Sequence, residues 1–279
     1  MKPKWQSAMG GLSSPRFQLH FVLVNISNPS MKMLFTRFLP ALCLVAILTA
    51  CTKSVEPSTS GAEQGAVTGR ITDEAGKPLA GIRVVIEHTV WVATYVYATT
   101  NEDGYYKAEL PKDPAGSWTA KAQVKKNAYG QQYTFDLHPA TDEPFTRNDK
   151  PVRDFTWKLS GPRPGTAQVY GAHVDVYQWG LDIPMTGVKL VFTPVAGETL
   201  ADGTAAKLIE RNVVDHAGTF MARDIPIGKY TVRAVYPGKT LLLDNRKDNG
   251  EPEVQKTVVF GKNGYLAETE YNIEFWLSE

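Results

Sequence analysis

The sequence predicts an all-β protein with two tandem β-sandwiches that follow a signal peptide and a flexible tether. Gly 23, Pro 18 and Tyr 12 among the 279 residues favour turn-rich β structure over helix. Short runs of β-branched and aromatic residues alternate with Gly, Pro, Asn and Asp turns, and no stretch of ten or more residues keeps a convincing helical period. The same strand pattern then occurs a second time along the chain.

The overall composition is that of a globular protein with enough apolar material for one or two cores. Hydrophobic residues make up 43% and charged residues 21%, which excludes collagen, coiled coil and wholesale disorder. The formal net charge is +1, so the basic excess that dominates nucleic-acid binding is missing. We therefore expect no nucleic-acid partner.

The N-terminal segment has the three parts of a secretory signal. Lys32 and Arg37 supply a cationic start, residues 38–48 form an apolar stretch, and Ala50 ends it. The apolar stretch is shorter than the about 20 residues that span a bilayer. Residues 31–50 are thus predicted to be a signal peptide, and residues 1–30 an extension upstream of the true start codon.

The end of this signal resembles the lipobox of bacterial lipoproteins, in the order Leu48, Thr49, Ala50 and Cys51. The resemblance implies that Cys51 is lipidated and anchors the mature chain to a membrane of the cell envelope, the outer membrane on its periplasmic or surface side. The alternative is ordinary cleavage near Ala50. After cleavage the chain keeps 25 cations against 29 acids and has no cysteine left for a disulfide once Cys51 is lipidated.

Residues 51–65 are predicted to be a flexible tether, because they hold no aromatic residue and little that a core could bury. As a flexible coil this length places the first folded residue about 20 Å from the membrane on average.

Residues 66–160 read as the first sandwich. Its predicted strands and turns follow each other at the spacing typical of this fold. The strands are 67–71, 82–87, 90–99, 105–110, 118–124, 133–137 and 155–159, separated chiefly by turns at 73–77, 101–104 and 111–116.

Residues 166–279 read as a diverged second copy of this sandwich. Residues 78–86 correspond in sequence pattern to residues 184–192, residues 116–119 to 228–231, and residues 157–160 to 275–278. The second copy therefore carries small loop insertions, and residues 161–165, with two prolines, form a stiff joint between the copies.

The first copy resembles the carboxypeptidase regulatory-like domain. The resemblance is carried by one set of residues: Val67, Gly69, Ile71, Asp73, Gly76, Lys77, Pro78, Leu79, Gly81, Val84, Thr100, Asp103, Gly104, Tyr105, Leu110 and Pro111. It implies a seven-stranded transthyretin-like sandwich in an extracellular setting. That family includes non-catalytic accessory modules as well as enzymes, adhesins and outer-membrane receptors, so function has to be argued from sites.

No catalytic or metal site is predicted. The zinc-binding pattern of a His followed three residues later by a Glu is absent after His88, His138, His173 and His216. Mature serines lie in the tether or outside any nucleophile elbow. The acidic residues cluster in turns, where solvated side chains are the ordinary case and a weak calcium site is the alternative. We expect a non-enzyme without cofactor.

Aromatic residues are the stronger indication of function. In the predicted strand 90–99 the period of two places Trp91, Tyr95 and Tyr97 on one face, opposite a valine face. An exposed aromatic row suits sugar rings, which stack on flat aromatic faces. The alternative is that this row is core, or packs on the other sandwich.

A second aromatic set begins the second copy. His173, Asp175, Tyr177 and Trp179 share one parity, opposite Tyr170, Ala172, Val174 and Val176. Aligning Gly171 with Gly69 would instead turn His173 inward, so the register stays open. Four further aromatics are expected in the cores: Trp118, Trp157, Tyr230 and Trp276.

Taken together, these features predict a non-catalytic, lipid-anchored extracytoplasmic binding protein. Its expected ligand is a glycan, bound by Trp91, Tyr95, Tyr97, Tyr177, Trp179 and Asp175. The alternative is a structural or protein-interaction scaffold of the cell envelope with no small-molecule ligand.

Overall fold

The computed structural model describes residues 61–245, 247–248, 250–262 and 267–279. The described chain is all-β, as predicted, and its helical content is one short 3₁₀ turn at Met185–Gly187. The predicted extension 1–30, the signal peptide 31–50, Cys51 and most of the tether lie outside the described residues. No helix in the described part of the chain is long and apolar enough to cross a membrane.

The first sandwich consists of two packed sheets. Its strands are β1 Ala66–Asp73, β2 Arg83–His88, β3 Tyr95–Thr99, β4 Tyr105–Glu109, β5 Ser117–Ala128, β6 Gln131–Asp136, β7 His138–Pro139, β8 Phe145–Thr146 and β9 Phe155–Trp157. One sheet has the order β4-β1-β9-β7 and the other β3-β2-β5-β6, with β8 added on β5. β1 and β9 pair in parallel, with Ile71 opposite Phe155.

The second sandwich repeats this arrangement. Its strands are β10 Ala172–Gln178, β11 Lys189–Pro194, β12 Ile209–Asn212, β13 Val214–His216, β14 Thr219–Ile225, β15 Lys229–Val235, β16 Leu242–Asp244, β17 Lys256–Val259 and β18 Asn272–Ser278. The sheets have the orders β13-β14-β10-β18-β16 and β12-β11-β15-β17. Again the first and last strands, β10 and β18, pair in parallel.

The parallel pairs resolve the register that the sequence left open. Ile71 lies opposite Phe155 in the first copy, and Val174 lies opposite Ile273 in the second. Superposing these pairs aligns Gly69 with Ala172 rather than with Gly171. Accordingly Ala172, Val174 and Val176 are buried, and the alternate residues of β10 face outward.

Gly69 is required by the close approach of a neighbouring segment. A Cβ atom built on it would lie 2.0 Å from the carbonyl oxygen of Arg153. That segment is held against β1, since the Arg153 N–H donates to Thr68 O over 2.8 Å. Only glycine leaves room for this contact.

Three of the four aromatics expected in the cores are buried, namely Trp118, Trp157 and Tyr230. The prediction for Trp276 is wrong. In β18 the side chains of Phe275 and Leu277 fill the core, so Trp276 between them lies on the outer face and is half-buried.

The predicted strand 90–99 is wrong in its first half. β3 begins only at Tyr95, and residues 89–94 form the turn between β2 and β3. Val90 and Val92, which an exposed aromatic row would have placed in the core, are exposed. The turn is fixed by the buried ring of His88, whose Nδ1 accepts the N–H groups of Val90 and Trp91 over 3.1 Å each.

The two sandwiches are joined by a buried polar contact. The Tyr271 hydroxyl accepts the Thr134 N–H over 2.6 Å, and the Tyr133 hydroxyl donates to Phe260 O over 2.7 Å. Arg163 of the linker pairs with Asp136 of β6 at 2.5 Å. The surface between the sandwiches is thus formed by β6 and the segments around β17 and β18, and Trp91, Tyr95 and Tyr97 are exposed instead of buried there.

Candidate functional site

The outer face of the sheet β13-β14-β10-β18-β16 carries the most concentrated group of exposed aromatics. β10 and β18 run in parallel there, with Asp175 opposite Glu274 and Tyr177 opposite Trp276. The inward parity of both strands is apolar and fills the core, so these four side chains share the outer face. Trp179 follows directly after β10, and its backbone N–H donates to Leu277 O over 2.8 Å.

The Trp276 ring contacts two other rings on this face, and we call Tyr177, Trp179 and Trp276 the aromatic platform. Tyr177 stacks on Trp276 with ring centroids 5.1 Å apart and an angle of 25° between the planes. Trp179 stands edge-on to Trp276 at 6.0 Å and 64°. Tyr177 is 37% exposed and Trp179 63% exposed, so solvent reaches the platform although its rings support each other.

Carboxylates lie beside the platform. Asp175 and Glu274 precede Tyr177 and Trp276 by two residues, and Asp244 of β16 lies opposite Trp276. The Lys247 ammonium pairs with Glu274 at 3.2 Å. Asp175 is oriented by Asn272, whose side-chain amide donates to Oδ2 over 2.8 Å. Burial raises the pKa of Tyr177, and the charges of Asp175 and Glu274 raise it further, so the phenol stays neutral at pH 7.

His173 extends the same face on the side away from the platform. Its Nε2 lies 3.7 Å from Asp175 Oδ1. Burial lowers the pKa of His173, and although Asp175 and Glu270 act in the opposite direction, the net pKa is below the usual 6.5. The ring is therefore neutral at pH 7 and acts as a hydrogen-bonding group rather than as a cation.

Behind His173 the sheet borders a cavity of about 250 Å³. Its polar lining includes Arg163, His216, Arg223 and Glu270. Arg163 is already paired with Asp136, and one Arg223 nitrogen donates to Ala167 O over 3.1 Å. This cavity belongs to the junction of linker and second sandwich and contributes structure to the edge of the candidate site.

The remaining predicted ligand residues lie in the first sandwich, at two separate places. Tyr95 and Tyr97 are exposed on β3, an edge strand, with centroids 6.1 Å apart and an interplanar angle of 25°. The Arg83 guanidinium covers one face of Tyr97 at 4.0 Å. Trp91 lies on the turn before β3 and not in the strand with the two tyrosines.

The six predicted residues therefore divide into three groups: Asp175 with Tyr177 and Trp179, Tyr95 with Tyr97, and Trp91 by itself. Trp276, which contacts both Tyr177 and Trp179, was not among the predicted ligand residues. The alternation of Ile273, Phe275 and Leu277 with polar residues was the signal that could have placed it outward.

Within the described ranges, no group of three or more His, Cys, Asp or Glu side chains is placed to hold a metal ion. In the acidic loop after β16, Asp248 and Glu253 lie 3.5 and 3.3 Å from the ammonium group of the buried Lys256. The expected lack of enzymatic activity and of a cofactor stays a prediction.

No protein-family model matches the chain, and no curated protein matches it. Solved structures similar to it include the Bacillus anthracis TIE protein, with 15% identity and a TM-score of 0.27 over 76% of this chain and 34% of that one. Others are a streptococcal ancillary pilin, at 11% and 0.23 over 77% and 69%, and a B repeat unit of the collagen-binding surface protein of Staphylococcus aureus, at 13% and 0.22 over 77% and 98%. The chain spans about a third of the length of the first of these. Superpositions this weak carry no information on function.

The β-sandwich fold implied by the resemblance to the carboxypeptidase regulatory-like domain is confirmed by the sheets described above. Membership of that family stays a prediction, as does the lipoprotein assignment.

Proposed function

We propose that the protein is a non-catalytic binding protein of the cell envelope, anchored by a lipid at Cys51, that holds a glycan on the aromatic platform. The observation that carries the proposal is the contact of Tyr177, Trp179 and Trp276 on one solvent-facing sheet surface. A pyranose presents an apolar face of C–H groups, which stacks on such rings while its hydroxyls remain free for hydrogen bonds.

Asp175 beside the platform indicates the class of sugar. Its carboxylate accepts hydrogen bonds from hydroxyls or from a protonated amine, whereas the charge of Glu274 is offset by the Lys247 ammonium 3.2 Å away. The expected ligand is thus a neutral glycan or one that carries amino groups. Tyr95 and Tyr97 provide a second and smaller surface for the glycan, because Arg83 already covers one face of the Tyr97 ring.

The test is a titration of the mature chain with neutral, amino-containing and acidic polysaccharides, followed by tryptophan fluorescence and calorimetry. Trp179→Ala should weaken binding at least about tenfold, because the loss of one stacked ring is worth more than about 1.4 kcal/mol. Tyr97→Ala is the matched control on the other sandwich and should change affinity less. Unchanged binding by the Trp179→Ala chain would remove the platform from the site.

The lipid anchor is tested separately by cell fractionation. The Cys51→Ala chain should leave the membrane fraction or remain unprocessed, whereas the wild-type chain should stay with the membrane and partition into detergent. A Cys51→Ala chain that is processed and fractionates like wild type would contradict the anchor.

A second candidate function is a rigid spacer of the envelope, and the joint between the sandwiches favours it. The hydrogen bonds of Tyr271 and Tyr133 and the pair of Arg163 with Asp136 hold the sandwiches together. A chain that binds no glycan in the titration but pulls down an envelope protein through the platform would support this function.

A further inference from the structure

The turn between β2 and β3 exposes apolar side chains without charge. We call residues 89–94 the hairpin tip; its sequence is Thr, Val, Trp, Val, Ala and Thr. Val90 is 75% exposed, Trp91 58% and Val92 94%. An exposed run of this kind is unusual on a monomeric domain and indicates a contact surface.

The hairpin tip is held outward by a built set of hydrogen bonds. The buried His88 Nδ1 accepts two consecutive N–H groups of the tip, and the His88 N–H donates to Thr94 O over 3.0 Å to close the turn. The Thr89 N–H donates to Ser117 O, also over 3.0 Å. Ala93 takes a positive φ of 58°, which completes the reversal of the chain. These bonds hold the backbone in the turn that leaves Val90, Trp91 and Val92 exposed.

The hairpin tip lies at the end of the first sandwich where the tether arrives. Gly65 is hydrogen-bonded through its N–H to Arg147 O over 3.2 Å, and the neighbouring Thr146 pairs with Ser117. Ser117 in turn accepts from Thr89 of the tip. Three hydrogen-bonded steps thus connect the first folded residues to the tip.

We infer that the hairpin tip inserts into the lipid interface of the membrane that anchors the chain, as a second attachment beside the lipid. This inference rests on the proposed anchor at Cys51. The 14 residues that follow Cys51, up to Gly65, span about 20 Å on average as a flexible coil. The tether therefore holds this end of the first sandwich close to the bilayer surface. At that end of the first sandwich, the hairpin tip exposes the apolar side chains of Val90, Trp91 and Val92.

The chemistry of the hairpin tip suits the interface rather than the hydrocarbon core. Tryptophan concentrates at the level of the lipid headgroups, where its ring is buried and its N–H stays hydrated. A turn with unpaired backbone groups would be costly deeper in the bilayer. Directly behind the tip, Glu87 pairs with Lys121 at 3.3 Å, and this charged pair limits the depth of insertion.

The experiment couples the mature chain to phosphatidylcholine vesicles through Cys51. Cys51 is the single cysteine that remains after removal of the signal, so a maleimide headgroup reproduces the anchored geometry whether or not cells lipidate this residue. The vesicles carry phosphatidylcholine brominated near the headgroup end of its acyl chains, which quenches tryptophans in contact with lipid. Vesicles without bromine provide the reference.

We expect quenching for the wild-type chain, the same lipid-dependent quenching for Trp179→Phe, and its loss for Trp91→Phe. Val92→Asp places a charge on a fully solvated position of the tip and should reduce the quenching, whereas Val254→Asp, the same change at an exposed valine of the second sandwich, should not. No quenching of the wild-type chain, or quenching that persists in Trp91→Phe, overturns the inference. Because coupling is chemical, either result is independent of the fate of Cys51 in cells.

Discussion

The hydroxyl of Tyr271 offers a sharp test of the joint between the two sandwiches. Thr134 and Tyr271 are both buried, and the hydroxyl accepts the Thr134 N–H over 2.6 Å. Tyr271→Phe keeps the ring, including its contact with Tyr133 at a centroid distance of 4.9 Å, and removes only the hydroxyl, which also donates to Thr134 O over 3.2 Å. The buried N–H is then unsatisfied, which costs about 1–3 kcal/mol of unfolding free energy.

The assay is urea denaturation of the mature chain, followed by tryptophan fluorescence. For a chain of this size each kcal/mol also lowers the melting temperature by about 2–4 °C. Tyr95→Phe is the matched control, because it makes the same change at an exposed position of β3. A loss below about 0.5 kcal/mol in Tyr271→Phe, or an equal loss in the control, would refute the reasoning that the hydroxyl couples the sandwiches.

Two further predictions concern stability. Burial tends to raise the pKa of Asp136, but hydrogen bonds from Arg163 and two neutral side chains outweigh it and hold the pKa below the usual 3.8. This stabilisation is present above pH 3.8 and is lost as the pH falls through the lowered pKa of the folded state. The urea midpoint of Asp136→Asn should therefore fall less on acidification than that of the wild-type chain. Equal falls in the two chains would contradict this prediction. Gly69→Ala should destabilise the protein by several kcal/mol, because its Cβ would collide with Arg153 O, while Gly261→Ala, with open space around it, should change the melting temperature little. Equal melting temperatures for the two variants would show that the backbone yields at Gly69.

The sequence predicted the duplication and the separation of β10 into two faces because both depend on local patterns. A period of two separates buried Ala172, Val174 and Val176 from Asp175 and Tyr177, and the repeated turn residues mark both copies. Only the register remained open, since a slip of one residue reverses the faces and needs a partner strand to be fixed.

The hairpin tip and the joint could not be predicted for two different reasons. The alternation at 90–94 is the same in a strand and in a turn of β-branched residues, and the choice was made by His88, whose buried ring binds two backbone N–H groups of the turn. The joint pairs residues more than a hundred positions apart, such as Tyr133 with Phe260, which no local pattern encodes. The outward position of Trp276 was mispredicted for a third reason. The alternation of β18 buries Phe275 and Leu277, and this outweighs the tendency of tryptophan to be buried.

The parallel pairing of first and last strands determines how each sandwich carries mechanical load. Because β1 and β9 point the same way, the chain enters the first sandwich at one end and leaves it at the opposite end. The same holds for β10 and β18 in the second sandwich. A pull applied between the two ends of a sandwich therefore loads the hydrogen bonds between its first and last strands together, in shear, instead of opening them one after another. β10 and β18 are in register over six residue pairs and β1 and β9 over three, so we expect the second sandwich to resist such a pull better than the first.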